Sequence, residues 1–235
     1  CTGTGYVNVA IGQHALKRAL GADNNVAIGC SAMCGNLTSC NNVAIGRRAM
    51  GNGAASGEGN NVAIGYQALL GMTSGTFNIG IGCFAGCAVT TGLRNTAVGK
   101  ETLIGTTTGC DNVAIGSTAG GPLVKSGSND ACSNVMIGQN AADALTCGYN
   151  NVAIGQNALG TSTTGCLNIA IGELALGAGV TTGAANIAIG VTTMDALTSG
   201  VDNIAMGMNA LGASTTGCHN IAIGLGSMAV TDVTG

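Results

Sequence analysis

Cysteine is the most reactive residue type that recurs in this chain, which contains 11 cysteines among 235 residues. One set stands two residues before a recurrent five-residue phrase that begins with Asn, and its members are Cys40, Cys110, Cys132, Cys166 and Cys218. Cys110 and Cys132 belong to consecutive copies of the phrase. If the copies stack as strands about 4.8 Å apart, these two residues fall within the Cα separation of a disulfide.

A second cysteine pattern follows the phrase. Cys30 and Cys34 lie one and five residues after the glycine that ends a copy, and Cys83 and Cys87 repeat this spacing. These pairs are candidates for disulfides, within or between chains, that lock the turns of a secreted protein. The alternative interpretation is that the cysteines are small apolar side chains at places where Ala or Ser also occurs. The sequence leaves both interpretations open.

The other reactive residues indicate neither a metal site nor a catalytic site. The chain has no Cys-x-x-Cys motif, and His14 and His219 occupy different parts of the repeated unit. Asp111 and Asp202 share the place before a phrase Asn, but their copies are five apart, or roughly 24 Å in a stack of strands. Paired-carboxylate hydrolysis needs separations below about 10 Å. We therefore predict no catalytic, metal-binding or cofactor-binding residue, and no enzymatic activity.

Threonines suggest an alternative function. Several copies contain Thr-Thr-Gly or Thr-Ser-Gly, which open at Thr73, Thr90, Thr107, Thr163, Thr181, Thr198 and Thr215. Stacked Thr columns are the feature that ice-binding solenoids present to ice or a crystal surface. Adjacent residues of an extended segment point to opposite faces, however, so a turn-stabilising role is favoured. A trimeric solenoid enzyme built on hexapeptide repeats is the third alternative, but this chain has one strong strand phrase per 17 residues.

The phrase itself defines the elements that must position these residues. Asn-Val-Ala-Ile-Gly and its variants begin at residues 8, 25, 42, 61, 78, 95, 112, 134, 151, 168, 186, 203 and 220, so most copies are 17 residues apart. A fixed short period is the signature of a solenoid, not of a globular domain. Spacings of 18, 19 and 22 also occur, and we expect the additional residues in a return loop. We therefore expect the whole chain, 1–235, to be one repeat array of about 13 rungs and a segment of a longer protein.

Within the phrase, short β-branched runs predict strands, and after its glycine we expect the Ala-Leu or Ala-Met pair to form a second, shorter strand that supplies the same core. Val26 and Ile28 fall on one face of such a strand, and Asn25, Ala27 and Gly29 on the other. We expect the Val and Ile side chains to fill the core, and stacked Asn side chains to form a hydrogen-bonded ladder. The middle residue is Ala except at Gly80 and Met136, which suggests close contact with a neighbouring chain. The predicted oligomer interface is Ala10, Ala27, Ala44, Ala63, Ala97, Ala114, Ala153, Ala170, Ala188, Ala205 and Ala222.

The phrase resembles the Asn-Ser-Val-Ala-Ile-Gly repeat of trimeric autotransporter adhesin heads, and it is similar to repeats in trimeric bacteriophage tail fibres. The period of 17 departs from the roughly 14 residues of those heads. The resemblance implies an all-β, parallel β-solenoid or β-roll that assembles as a homotrimer. It also implies an extracellular, non-enzymatic fibre shaft or head, on a virion tail or a bacterial surface, that attaches to a surface receptor or glycan.

Composition limits the remaining partners. Charged residues make up 7% of the chain, with a net charge of -3 and no run of one sign, so nucleic acid is not an expected partner. No apolar run has the roughly 18 residues that a bilayer span needs. The longest spacing, between Asn112 and Asn134, contains Gly120, Gly121, Pro122 and Lys125, and we predict that this loop contacts a receptor.

Overall fold

A computed structural model describes residues 6–35, 38–52, 59–121, 131–179 and 181–229. These residues form short strands and no helix, and thus no helix that could cross a membrane. The first compact unit, Cys1–Asp111, contains β1 (Val9–Ile11), β2 (Val26–Ile28), β3 (Val43–Ile45), β4 (Val62–Ile64), β5 (Ile79–Ile81) and β6 (Thr96–Val98). The second, Asn112–Gly235, contains β7 (Val113–Ile115), β8 (Val135–Ile137), β9 (Val152–Ile154), β10 (Ile169–Ile171), β11 (Ile187–Ile189), β12 (Ile204–Met206) and β13 (Ile221–Ile223).

In each unit every strand pairs in parallel with the strand of the next coil, and equivalent residues lie opposite one another. The register survives the long spacings, since β3 pairs with β4 across 19 residues and β7 with β8 across 22. The predicted fold class, an all-β parallel β-solenoid, is confirmed for each unit. Residues 53–58 and 122–130 of these two long coils lie outside the described residues, so the placement of the additional residues in return loops stays a prediction.

The strands are short because the backbone leaves the extended conformation on both sides of each strand. In the second coil, Val26 N donates to Asn42 O at 2.8 Å and Gly29 N donates to Ile11 O at 2.8 Å. Gly29 then has φ +130 and ends the strand. Glycine alone adopts this conformation without strain, so the last residue of the phrase fixes where each strand stops.

The Ala-Leu or Ala-Met pair after each glycine lies in a turn, so the prediction of a second strand there is wrong. Met33, which closes such a pair, and Leu103, which follows Thr102 at the equivalent place, have φ values of 48 and 47. The main chain of Met33 still bonds to the neighbouring coil, because Met33 N donates to Ala49 O at 2.9 Å. Both side chains are fully buried. The pair therefore does supply the core, but from a left-handed turn.

The alanine column lies inside the coil, so the predicted orientation of the two strand faces is wrong. The buried members are Ala27, Ala44, Ala63, Ala97, Ala114, Ala153, Ala170, Ala188, Ala205 and Ala222, whereas Ala10 of β1 is exposed. The interior is narrow: a Cβ built on Gly80 would lie 2.8 Å from Leu69 Cγ. Alanines buried within their own chain cannot form the predicted oligomer interface.

The single larger residue in this column shows how tightly the interior volume is constrained. Met136 is fully buried where other coils have Ala. The turn positions that carry Leu or Met in most coils carry Gly120 in the preceding coil and Ala142 in the same coil. The small turn residues compensate for the larger strand residue, as expected of a close-packed core.

The residue before each phrase Asn provides a prediction about stability. Leu167 has φ 60 and is 51% exposed, while Asn24, Asn41 and Asn150 occupy the equivalent place. The left-handed conformation costs most residues about 1–2 kcal/mol but is tolerated by Asn. We expect Leu167→Asn to raise the free energy of unfolding by about 1 kcal/mol, measured by urea denaturation. Leu225→Asn is the control, because Leu225 is 74% exposed without a positive φ; an equal gain there would contradict the explanation.

Candidate functional surface

The outer face of each strand is the most unusual surface of this chain. We call the first and third residues of the strands the outer face; they are Val or Ile except at Thr96 and Met206. They are half-buried or exposed, with Ile81 at 37% and Ile223 at 68% exposure. No charged residue occurs among them. A strand face that meets water normally carries polar residues, so this face has the composition of a covered surface.

An asparagine ladder supports the outer face from behind. Asn151 N and Asn151 Nδ2 both donate to Asn134 Oδ1 at 3.0 Å, and Asn151 Nδ2 also donates to Gly165 O at 2.8 Å. Asn168 N in turn donates to Asn151 Oδ1 at 3.0 Å. The predicted ladder is confirmed, and its amides are buried. Each amide thus links two coils and fixes the strand register.

The glycine column explains why the phrase always ends in the same residue. Gly155 has φ +133, and a Cβ built on it would lie 2.6 Å from the carbonyl carbon and oxygen of Gly172. The same close approach recurs at Gly46 and Gly138. Neighbouring backbones therefore pass too close for any side chain at this corner. The corner is rigid, and the residues that follow it are held in stacked turns.

The predicted disulfides are not formed: the described residues contain no disulfide bond. Cys34 Sγ donates to Gly51 O at 2.9 Å, and Cys87 Sγ to Ile104 O at 3.8 Å, so these thiols contact the next coil. Burial is the main cause that raises the pKa of Cys87. A thiol with a raised pKa is less often the reactive thiolate.

The cysteines that precede the phrase donate the same kind of local hydrogen bond that a Ser or Thr hydroxyl would donate. Cys40 and Cys166 each donate to the carbonyl oxygen two residues earlier, at 3.5 and 3.3 Å. Cys110 and Cys218 make the same contact at 3.4 Å. This local bond is typical of Ser and Thr in turns. The geometry agrees with the alternative in which cysteine stands where other small residues also occur.

The stacked threonines donate hydrogen bonds to main-chain carbonyls of the solenoid. Thr73 Oγ1 donates to Thr90 O at 3.1 Å, and Thr90 Oγ1 to Thr107 O at 3.0 Å. Thr198 Oγ1 repeats the contact to Thr215 O at 2.8 Å. The prediction of bonds to the local backbone of the turn is corrected here, because these carbonyls belong to the next coil, so the hydroxyls link neighbouring coils.

The acidic residues fall into two groups, paired and partly buried. Arg94 donates two hydrogen bonds to Asp111, of 2.6 and 2.8 Å, which lowers the pKa of Asp111. Asp202 lies 3.7 Å from His219. Asp143 and Asp195 are different, because partial burial raises the pKa of each carboxyl.

The predicted receptor loop is only partly described. Gly120 and Gly121 are buried, and Gly120 N donates to Ala141 O at 2.8 Å in the next coil. These two glycines belong to the stacked turns, and their burial counts against the prediction that they contact a receptor. Pro122 and Lys125 lie outside the described residues.

Sequence reasoning missed a cluster at the turn that follows the glycine column. The guanidinium carbon of Arg47 lies 5.7 Å from the ring centroid of Tyr66, and Tyr66 meets Phe84 edge to face at 5.2 Å. In a chain with 2% aromatic residues, two rings in contact form a distinct patch. The signal was present in the sequence, because Arg47 and Tyr66 share the place directly after the glycine in consecutive copies.

Other candidate sites are few. No group of three or more His, Cys, Asp or Glu side chains comes together in the part of the chain that the structure describes. Comparisons with protein-family models, curated proteins and solved structures found no match. The functions proposed below for the outer face and for the stacked turns therefore rest on the residues that form these surfaces.

Proposed function

We propose that this chain is a non-enzymatic fibre module that assembles with identical copies through its outer face. The observation that carries the proposal is the double column of half-buried or exposed residues on the strands of both units, all of them Val or Ile except Thr96 and Met206. Large contiguous apolar patches on soluble proteins mark interaction surfaces. A scaffold role needs such a surface and no reactive group.

The composition of the outer face favours a second copy of the same chain as its occupant. The face carries no charge and repeats the same two side chains at each coil, so it offers no feature that would select a different partner. Two such faces in parallel register place Val and Ile of one chain against Val and Ile of another. Homo-oligomers with closed symmetry are the commonest outcome of such self-complementary surfaces.

Three copies follow from the resemblance to trimeric adhesin heads and tail fibres. The phrase that carries the resemblance is the one that creates the outer face. In a parallel homotrimer the three outer faces would meet around one axis, and the turns would remain accessible outside. Threefold repetition of weak contacts raises avidity, which suits attachment of a virion or bacterium to a surface outside the cell.

Charge insertion on the outer face tests this assembly. The double substitution Val152→Lys and Ile154→Lys places two ammonium groups on the face without entering the core, since both side chains point away from Ala153. We expect the oligomer to dissociate while the far-UV circular dichroism is retained, as measured by light scattering with reductant present. Gln156→Lys is the control, because Gln156 is an exposed turn residue two positions further on.

Three outcomes would count against the proposal. An unchanged mass of the double variant would mean that the outer face does not hold the assembly. An equal loss of mass in Gln156→Lys would mean that added charge alone dissociates it. Thermal hysteresis of the wild-type chain would instead favour the ice-binding alternative.

A further inference from the structure

A cleft at the stacked turns of the first two coils is lined by basic side chains, and we call this run of stacked turns the turn edge. The cleft has a volume of about 440 Å³ and is lined by His14, Lys17, Arg18, Ser31 and Cys34. His14, Lys17 and Arg18 come from the first coil, and Ser31 and Cys34 from the second. Three basic residues and one hydroxyl residue thus border a single opening.

The cleft is held by the stacking of the turns beneath it. Ser31 N donates to Gln13 O at 2.8 Å, and Leu16 N donates to Ala32 O at 3.0 Å. Leu16 and Met33 are buried under the edge. Side chains placed on such a supported backbone keep their relative positions better than those on a free loop.

Positive charge dominates this part of the chain. Residues 6–52 contain Lys17, Arg18, Arg47 and Arg48, and their single acidic residue is Asp23. Neither Lys17 nor Arg18 forms an ion pair with another of the described residues. Basic groups of this kind favour an anionic ligand.

The positive edge continues along the stack. Arg48 N donates to Cys30 O at 2.9 Å, so the turn of the third coil rests on that of the second. Arg47 and Arg48 therefore lie two coils from Lys17 and Arg18, or roughly 10 Å along the edge. Arg47 covers Tyr66, and Tyr66 contacts Phe84. A ligand with repeated negative groups could engage both basic pairs.

We propose that this edge binds an acidic saccharide, with a sulfate or carboxylate group of one sugar seated in the cleft. Clefts of this volume accept ligands larger than a single oxyanion. Arg and Lys provide charge-assisted hydrogen bonds to sulfate and carboxylate groups. Single-stranded nucleic acid is less well matched, because its bases need free ring faces and Arg47 already lies over the face of Tyr66. The cleft is built by one chain, so this proposal does not rest on the assembly proposed above.

Titration of the full chain with a sulfated heparin-type tetrasaccharide tests the proposal. We expect one site per chain by calorimetry, and at least tenfold weaker binding by Lys17→Gln with Arg18→Gln, because two charge-assisted bonds are lost. Lys100→Gln is the control: Lys100 is also a surface cation of the first unit, but it lies 3.3 Å from Glu101. It should change affinity less than twofold. The unsulfated tetrasaccharide should bind at least tenfold more weakly.

Several results would overturn the proposal. They are no binding of the tetrasaccharide, an equal loss of affinity in Lys100→Gln, or equal affinity for inorganic sulfate alone. Binding of a ten-nucleotide single-stranded DNA as tight as that of the tetrasaccharide, and lost in the same double variant, would reassign the site to phosphate backbones. The outer-face variant Val152→Lys with Ile154→Lys should keep full saccharide affinity, which separates failure of this site from failure of the assembly.

Discussion

Replacement of Asn151 by Asp should lower the free energy of unfolding by about 3–5 kcal/mol, the cost of an uncompensated buried charge. Asn151 is 1% exposed. The substitution removes the Nδ2 donor to Asn134 Oδ1 and Gly165 O and places a carboxylate oxygen against those two acceptors, while Asn151 N still donates to Asn134 Oδ1. Urea denaturation followed by circular dichroism measures the loss.

The neighbouring residue provides a matched control for this substitution. Asn150 is exposed with φ 56, and Asp111 and Asp202 already occupy the equivalent place in other coils. Asn150→Asp should therefore change stability by no more than about 0.5 kcal/mol. The buried Asp should have a raised pKa, so the loss in Asn151→Asp should shrink as the pH falls through that pKa. Equal effects at positions 150 and 151 would contradict a structural role for the ladder.

The variant Gly155→Ala should be destabilised by about 4 kcal/mol, since left-handed strain of about 1–3 kcal/mol adds to overpacking of about 1–3 kcal/mol. The new Cβ would lie 2.6 Å from backbone atoms of Gly172. Those atoms belong to the stacked turn of the next coil and cannot move without breaking the register. Hydrogen exchange at the amides of β9 and β10 should report local opening in addition to the lower urea midpoint.

The glycine that follows β13 distinguishes the cost of backbone strain from the cost of a steric clash. Gly224 has φ +117, but nothing lies within 4 Å of a Cβ built there. Gly224→Ala should therefore show the strain of about 1–3 kcal/mol alone. If Gly155→Ala and Gly224→Ala cost the same, close stacking of the glycine column is not what requires glycine.

Much of the coil was predictable from the phrase because its features are local. The period of the Asn residues gave the number and pairing of the strands. The Asn ladder followed from parallel stacking of identical residues. The left-handed turns were not predictable, because Leu103 and Met33 belong to residue types that seldom adopt positive φ, and only the tertiary contacts of the coil impose it.

The orientation of the strand faces was the main error, and the signal that corrects it was available. Alternation shows that Val26 and Ile28 share a face but not which face is buried. Asn25 and Ala27 also share a face, so a buried Asn ladder requires the alanines to be inside. The greater hydrophobicity of Val and Ile suggested that they, and not the alanines, fill the core. A narrow coil, however, has room for Ala and not for Ile. The cleft at His14 and Lys17 was not visible in sequence, because turns of two coils must stack to form it.

Sedimentation equilibrium of the purified chain in reductant tests the central claim most directly. That claim is that the outer Val and Ile face joins identical chains without covalent links. The account predicts a mass three times that of the 22.6 kDa chain, at all micromolar concentrations measured. A folded chain that sediments at 22.6 kDa over the same range would contradict it.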